Sequence, residues 1–394
     1  MGLFRWAGMG AAAGPMDRWL LAAVLLLALW GLLMVYSSSS AMGIVSHGGN
    51  DLFYLENQLA KGILGVALML GLSRIDAQHY ARRVPWIFWG LGLAALLLLL
   101  IPQGPGVEVR GTRRWLSIGG VLVQPAEFAR VAMIVCLAAA VATRRGELRT
   151  WRGLALPLGI VFATAGLIAV QPHLSMAALT ALSGLLLLFL AGGRPWKLGL
   201  AGGGAALLAF LVKRGYQGTR IDIFLEGLRG DPTYQVHQSI LGIGSGGLTG
   251  MGLGRGMQKH FFLPDPHTDF ILSIVGEELG LLGLLLLSSL TALIILRIFV
   301  IGRRSGVVFG ELVAYGVGLQ FLLAFLLHTA VCVGWAPTTG VPYPLMSFGG
   351  SALLASLTAI GIVLAVSRRS PGVRRPSYMG RLLMDEPTLG RSRS

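Results

Sequence analysis

Apolar residues form long unbroken blocks along this chain, and short polar stretches separate them. Ten of the blocks reach or approach the roughly 20 residues that an α-helix needs to cross a bilayer. A transmembrane β-barrel would show segments of about ten residues with alternating polarity, whereas runs such as LGLAALLLLLI do not alternate. The pattern predicts an all-α polytopic membrane protein with about ten transmembrane helices. The predicted spans are about 18–38, 57–73, 84–102, 121–143, 153–170, 173–192, 196–213, 268–298, 308–334 and 345–367.

Two of the connections between these spans are long, one over about 103–120 and one over 214–267, between the seventh and eighth spans. Loops longer than about 12–15 residues are usually functional or disordered. The second loop holds aromatic residues and two stretches, IDIFLEGL and TYQVHQSILGI, whose pattern predicts amphipathic helical turns. We therefore expect one transmembrane domain over 1–367, which includes this large loop, and a basic disordered tail over 368–394.

The charge distribution predicts the orientation of the chain. Only 12% of the residues are charged, and the net charge is +15. If the N-terminus is cytoplasmic, 21 of the 32 lysines and arginines lie on the cytoplasmic side, as the positive-inside rule requires. Both termini are then cytoplasmic, and both long loops are on the outer face. Anionic membrane lipids explain the basic tail better than nucleic acid, so no nucleic-acid partner is expected. Cys136 and Cys332 both fall inside spans, so neither a disulfide nor a metal site is indicated.

An acidic residue, Asp269, stands at the outer start of the eighth span, in the stretch PDPHTDFILSIVGEELG. One interpretation is local: Asp265 and Pro266 suit the first positions of a helix, and Asp269 in the first turn would favour the helix dipole. The other follows from spacing, because Asp269 would share a helix face with small residues: Ser273, Gly276 and Gly280. That face would direct the carboxylate into the bundle or a cavity, where it could act as a general base.

A second candidate group is QPAEFAR at the start of the fourth span, where Gln124, Glu127 and Arg130 recur every three residues. Charged residues at membrane depth usually pair or mark a site. Glu127 and Arg130 could simply lock helices together. Alternatively, Arg130 offers a cation to a phosphate group, with Glu127 orienting it.

A third group, Arg113, Arg114 and Trp115, precedes the same span. The planar guanidinium group of arginine suits phosphate oxygens. The alternative is a solvated loop that touches lipid headgroups, with Trp115 as an interfacial anchor.

The glycine-rich run GIGSGGLTGMGLGRGMQK ends in Gln258 and Lys259. Its GxGxxG match is weak, because that motif needs a preceding strand in a βαβ unit. The run could be a flexible loop, or its backbone could approach a ligand closely with Gln258 and Lys259 beside it.

A last group lies in TTGVPYPLMSFGGS, at the outer start of the tenth span. Pro342 and Pro344 favour an extended chain. Four small residues could offer backbone or hydroxyl groups for hydrogen bonding: Ser347, Gly349, Gly350 and Ser351. Non-helical backbone at membrane depth is tolerated only where it is buried or lines a cavity. Alternatively, these residues only mark the start of a helix.

Taken in order, these stretches resemble the SEDS family (shape, elongation, division and sporulation) of polytopic peptidoglycan glycosyltransferases. The most specific matches are GTRRWLSIGGVLVQPAEFAR, the GLGRGMQK and FLPDPHTDFILSIVGEELGLLG block, and PTTGVPYPLMSFGGS. The resemblance covers nearly the whole chain. GLG-x-x-x-QK together with GEELG is more similar to the division branch (FtsW-like) than to the elongation branch (RodA-like).

The resemblance assigns roles to particular residues. The essential outer carboxylate of the family corresponds to Asp269, and His267 and Thr268 beside it are counted with the substrate-binding residues. Arg130 stands where the family usually has a lysine. The chain also departs from the family pattern at His173, where an aspartate is usual, and at His328, where an asparagine is common.

The resemblance implies polymerisation of lipid II into glycan strands on the outer face of the bacterial cytoplasmic membrane. Asp269 would take the proton of the acceptor hydroxyl as it attacks the donor sugar, with inversion at the anomeric carbon. Four cations, Arg113, Arg114, Arg130 and Lys259, would stabilise the departing pyrophosphate. No cofactor is certain; a divalent cation (Mg²⁺ or Mn²⁺) could share that task, although no ligand spacing marks a site.

The implied partners are a single-span class B penicillin-binding transpeptidase, other division proteins and membrane lipids. Three alternatives stay open: a lipid II flippase or transporter, an elongation-type polymerase, and a scaffold for other division proteins. The clustering of polar groups at the outer mouth, with little charge through the middle of the spans, argues against a translocation path.

Overall fold

The computed structural model describes residues 14–76, 83–101, 104–109, 111–211 and 233–368. Within these residues, ten helices coincide with the ten predicted spans, and one further helix lies in the second long loop. The helices are α1 (Arg18–Ser46), α2 (Phe53–Leu72), α3 (Val84–Leu98), α4 (Pro125–Arg144), α5 (Trp151–Val170), α6 (Leu174–Leu190), α7 (Pro195–Leu211), α8 (Tyr234–Ser245), α9 (Ile271–Arg304), α10 (Val308–Cys332) and α11 (Gly350–Ser367). Six of them are long and apolar enough to cross a membrane, and α3 and α6 are shorter apolar helices. The all-α polytopic fold class is confirmed.

The predicted helix in TYQVHQSILGI is α8, whereas IDIFLEGL and the tail beyond residue 368 lie outside the described residues. Short single-turn elements also occur at Arg145–Glu147 and at Gln258–Phe262.

A small antiparallel sheet occupies the first long connection, where the sequence predicts a loop followed by a helix from residue 121. Its strands are β1 (Gly106–Val109), β2 (Thr112–Ile118) and β3 (Val121–Val123), in the order β1–β2–β3. Gly119 and Gly120, both with positive φ, form the two-residue turn between β2 and β3, which is the geometry that a tight hairpin requires. The fourth span therefore begins at Pro125 rather than at residue 121.

Helices α4 and α10 form the centre of the bundle. Nearly every residue of α4 from Pro125 to Val141 is buried, and α10 is buried over most of its length. Helix α4 packs against α3, α5 and α10, while α2 packs against α11 and α1 against α9. The many alanines and valines of α4 suit this position, because small side chains allow close helix packing within a membrane.

Helix α9 is broken at Gly280, whose backbone is left-handed (φ 65°). The segment 246–256, called the glycine segment below, lies against the break. The amides of Met251 and Gly252 donate to the carbonyls of Glu277 and Glu278, both at 3.0 Å. In return, Leu281 and Leu282 donate to the carbonyls of residues 247 and 248, at 2.9 and 3.1 Å. Backbone groups freed by a break in a membrane helix need such replacement partners, and the glycine segment supplies them.

Candidate active site

Asp269 is partly exposed in a turn that precedes α9. Asp265 adopts a left-handed conformation (φ 52°), and its carbonyl accepts from the amides of Thr268 (3.2 Å) and Asp269 (3.1 Å). Phe270 then has a non-helical backbone, so α9 begins at Ile271. The predicted helix start at Asp265 and Pro266 is therefore wrong. A single closed turn, separate from α9, holds Asp269.

Aromatic and imidazole rings pack around this turn. The buried His267 ring lies 4.8 Å from the ring of Tyr54 in α2 and 5.5 Å from that of Phe348. The amide of Phe348 also donates to the carbonyl of His267 at 2.8 Å. At the corner between α1 and α2, His47 stacks on Phe53 at 3.6 Å. These contacts connect the turn that carries Asp269 to α2 and to the segment before α11.

Two adjacent carboxylates of α9 anchor the other end of the loop that leads to Asp269. Glu277 accepts from the amides of Met257 (2.7 Å) and Gln258 (3.2 Å), and Glu278 accepts from Gly254 (3.0 Å). Sequence reasoning missed this role of the GEELG stretch. The available signal was the pair itself, because two carboxylates inside an apolar span must find donors.

Lys259 is engaged inside the protein. Its Nζ lies 2.8 Å from Glu278 Oε1 and 3.2 Å from Ser37 Oγ of α1, and Ser37 in turn donates to Glu278 at 2.6–2.7 Å. The Lys259 and Glu278 side chains are only 5% and 0% exposed. This geometry corrects the expectation that Lys259 offers a cation to pyrophosphate. Its charge instead compensates a buried carboxylate and links α1, α9 and the loop.

The small-residue face of α9 is filled by protein. Ser273 Oγ hydrogen-bonds Ser239 Oγ of α8, and Ser239 also donates to the carbonyl of Cys332 (2.7 Å). Gly276 lies against Ile243 of α8. A Cβ atom on Gly246 would overlap the Gly276 carbonyl oxygen, so the glycine allows a close backbone approach. The spacing correctly predicts that this face of α9 is interior. However, α8 and the glycine segment pack against it, so the face does not line an open groove.

The segment 338–349, called the re-entrant segment below, is largely buried between helices. Gln58 of α2 donates to the carbonyl of Ser347 (3.1 Å) and accepts from the amide of Gly349 (3.2 Å). Ser351 Oγ accepts from the amide of Gln124 (2.9 Å) at the start of α4. Gly350, the first residue of α11, lies against the side chain of Lys61. The predicted group is thus brought together, and Gln58 and Lys61 are the members that sequence reasoning missed.

Glu127 and Arg130 line a small, partly open cavity. Arg130 Nη1 lies 3.5 Å from Glu127 Oε2 and also contacts Met176 Sδ, and Gln320 donates to the Arg130 carbonyl (3.0 Å). Both charged residues are at least nine-tenths buried. Glu127 Oε1 and Arg130 Nε have no hydrogen-bond partner among the described residues. Leaving such buried polar atoms without a partner costs free energy, and both residues also line the cavity.

Two adjacent residues of the re-entrant segment lie near the two candidate groups: Gly340 near Asp269, and Val341 at this cavity. A Cβ atom on Gly340 would lie 3.8 Å from Asp269 Oδ2, and the next residue, Val341, lines the Arg130 cavity. His328 of α10 is buried with its Nδ1 3.0 Å from the Val341 carbonyl oxygen. The departure from the family pattern at His328 therefore lies against the re-entrant segment, at a residue that lines the Arg130 cavity.

The basic group before the fourth span lies on strand β2. Arg113 donates to the carbonyl of Ile101 (3.1 Å), just after α3, and to that of Gly106 (3.2 Å) in β1. Arg114 donates to the carbonyls of Gln171 (3.1 Å) and Pro172, between α5 and α6, beside the buried His173. Both arginines therefore fix the sheet to the helix ends. Trp115, partly buried, pairs with Val107 of β1.

No group of three or more His, Cys, Asp or Glu side chains that could hold a metal ion occurs in the part of the chain that the structure describes. Both cysteines are buried and free.

Comparison with known proteins gives concordant matches. The profile of a family described as "cell cycle protein" (FtsW, RodA and SpoVE) matches residues 17–371. A "probable peptidoglycan glycosyltransferase FtsW" of Nitrosococcus halophilus is 38% identical over 379 residues, covering 93% of this chain and 97% of the relative. A protein of the same name from Trichlorobacter lovleyi is 36% identical and covers 89% of this chain and 93% of the relative.

Two solved structures are also similar. One, described as "Structural coordination of polymerization and crosslinking by a peptidoglycan synthase complex", is 27% identical with a TM-score of 0.73 and covers 90% of this chain and 98% of its own. The rod shape determining protein RodA of Thermus thermophilus is 24% identical with a TM-score of 0.68, and covers 90% and 97%. The latter match supports the fold alone.

Proposed function

This chain belongs to the FtsW, RodA and SpoVE family of cell cycle proteins, and we propose that it polymerises lipid II with Asp269 as the general base. It is a peptidoglycan glycosyltransferase of the inner membrane, as its FtsW relatives are named, and those names favour the division type. The observation that carries the assignment of residues is that two adjacent residues connect the groups: Gly340 lies beside Asp269, and Val341 lines the same cavity as Arg130.

The chemistry follows from these two groups. The carboxylate of Asp269 takes the proton of the acceptor 4-hydroxyl while that oxygen forms a bond to the anomeric carbon of the donor sugar. The bond from that carbon to the polyprenyl pyrophosphate breaks, and the pyrophosphate leaves with the electron pair. Attack opposite the leaving group inverts the configuration, so no covalent sugar intermediate is needed.

The cation at the donor end is Arg130. Arg130 and Glu127 line a cavity, and within the described residues the buried Arg130 Nε and Glu127 Oε1 have no hydrogen-bond partner. A guanidinium group held in a fixed position stabilises the charge that develops on a departing phosphate. Arg113 and Arg114 would add long-range positive potential from the sheet. The walls of the substrate-binding site would be shaped by Trp115, Gln124, Gln258, His267, Thr268, Ser347, Gly349, Gly350 and Ser351.

A protein-held divalent metal does not fit the described residues, which offer no three-ligand group. A Mg²⁺ or Mn²⁺ ion, if used, would be held by the substrate pyrophosphate.

The site is proposed to lie on the outer face, with both termini cytoplasmic. The bias of basic residues towards the other end of the bundle supports this orientation. A class B penicillin-binding transpeptidase is the proposed partner, because the similar structure is described as a synthase complex that coordinates polymerisation and crosslinking.

The test is polymerisation of lipid II by the purified chain in detergent, with and without the transpeptidase. Detergent micelles have no sides, so glycan strands that form there cannot result from lipid flipping. Strands that lengthen with time support the proposal. Lipid II transport in vesicles by a chain that makes no glycan in detergent, even with its partner, would overturn it.

A further inference from the structure

We propose that the end of the bundle opposite Asp269 carries a specific binding site for the headgroup of an anionic phospholipid. The site is formed where the starts of α5 and α7 meet, and we call it the arginine–tryptophan patch. It consists of Arg149, Trp151, Arg152, Arg194 and Trp196. None of these residues takes part in the active site described above.

A buried lysine connects the two helix starts. Lys197 Nζ donates to the Arg149 carbonyl at 2.9 Å, and the amide of Lys197 donates to the Arg194 carbonyl at 3.1 Å. The lysine is only 6% exposed. Its ammonium group lies 5.0 Å from the centroid of the Trp151 ring and 5.4 Å from that of Trp196, within the range of a cation–π interaction. The lysine therefore connects both rings to the backbone at Arg149 and Arg194.

The two tryptophans form an exposed aromatic surface. Their centroids are 5.9 Å apart and their planes nearly perpendicular, at 86°. Each ring remains about half exposed, at 46% for Trp151 and 53% for Trp196. Tryptophan prefers the headgroup level of a bilayer, where an apolar ring and a polar edge are both accommodated. The pair thus places the patch at the depth of lipid headgroups.

The charge of the patch is positive and uncompensated. Arg149, Arg152 and Arg194 are exposed, and within the described ranges they make no ion pair and no side-chain hydrogen bond. Glu147, an acidic residue two positions before Arg149, is also exposed. Three guanidinium groups around an aromatic pair match a phosphate that carries an acyl chain, because each can donate two parallel hydrogen bonds to phosphate oxygens. Basic pockets between helices at this level bind anionic headgroups.

The occupant is a lipid rather than a soluble phosphate, because the aromatic rings offer apolar contact that a free phosphate cannot use. From the usual contribution of a basic residue near a membrane surface, each arginine should raise the affinity for an anionic lipid about fivefold, and the three together about 100-fold.

The experiment uses tryptophan fluorescence of the full chain in nanodiscs. Phosphatidylglycerol or phosphatidylcholine, brominated on the upper acyl chain, is titrated into an unbrominated phosphatidylcholine background. Bromine quenches indole fluorescence at contact, so a bound lipid quenches at low mole fraction. We expect phosphatidylglycerol to quench at a mole fraction about 100-fold lower than phosphatidylcholine. The difference should disappear in W151F/W196F, which shows that the two rings report it.

The decisive variant is R149Q/R152Q/R194Q, with R74Q/R303Q/R304Q as the matched control. The control removes three exposed arginines outside the patch and the same net charge. The patch variant should lose the preference for phosphatidylglycerol, and the control should keep it. Equal loss in both variants, or equal quenching by the two lipids in the unmodified chain, would overturn the proposal. Melting temperatures in pure phosphatidylcholine nanodiscs verify that both variants fold.

Discussion

Replacement of Lys259 by methionine is expected to destabilise the protein by about 3–5 kcal/mol, because it leaves a buried carboxylate without its cation. Methionine keeps the length and apolar stem of the side chain, so the change isolates the charge. The Lys259 Nζ to Glu278 Oε1 distance is 2.8 Å, and the two side chains are 5% and 0% exposed. Ser37 and the amides of Gly254 and Gly256 still donate to Glu278. These donors place the expected cost at the lower end, about 3 kcal/mol.

Removal of the opposite charge should cost a similar amount, but the two costs should not add. Glu278→Gln leaves the Lys259 ammonium group buried without an anion, which we expect to cost about 3 kcal/mol. The double variant leaves no buried charge, and its glutamine can still accept from the loop amides. We therefore expect the double variant to cost about 3 kcal/mol rather than about 6 kcal/mol, a coupling of the size seen for contacting residues.

The free energies of unfolding can be measured by SDS titration in mixed micelles, with Arg255→Gln as the control. Arg255 is exposed in the same loop, so its substitution should change the stability by less than about 0.5 kcal/mol. If the single substitutions cost less than about 1 kcal/mol, or if their costs add in the double variant, the ion pair does not hold the loop and this reasoning is refuted.

Three further predictions concern a glycine of the glycine segment, the Arg130 cavity and the buried His328. Gly246→Ala should destabilise the protein by more than about 1 kcal/mol in the same titration, because the added Cβ atom would overlap a carbonyl of α9. The control is Gly244→Ala, which adds its Cβ atom in open space and should be neutral or slightly stabilising. Arg130→Gln should lower the kcat of lipid II polymerisation about 100-fold through loss of a donor to the leaving group, and Arg130→Lys should lower it less; equal losses would exclude a charge-based role. His328→Leu should cost about 1–3 kcal/mol, because the buried Val341 carbonyl loses its 3.0 Å partner, and unchanged unfolding would contradict this.

The spans could be predicted from sequence because bilayer thickness sets the length of an apolar helix. The same approach missed the sheet at 106–123, whose strands are only three to seven residues long. The glycine pair at 119–120 between alternating residues was the usable signal. The prediction nevertheless extended the fourth span back to residue 121, because Val121–Val123 is apolar and continues into that span.

The candidate site was predicted in part. Asp269 and the re-entrant segment meet, as their positions at the starts of the eighth and tenth spans suggest. The buried ion pair of Lys259 could not be predicted from the sequence, because its partners Ser37 and Glu278 lie 222 and 19 residues away along the chain. The predicted start of α9 is too early. Asp265 followed by Pro266 has the local chemistry of a helix start, but Asp265 is left-handed and its carbonyl instead closes a separate turn with Thr268 and Asp269.

The most direct test of the account is the activity of Asp269→Asn. Asparagine keeps the size of the side chain but cannot accept the proton, so we expect kcat for lipid II polymerisation in detergent to fall by about 10²–10⁴-fold, with the same melting temperature and the same affinity for lipid II. Asp269→Glu should retain a larger fraction of the activity than Asp269→Asn. Full glycan polymerisation by a normally folded Asp269→Asn variant would contradict the assignment of Asp269 as the general base.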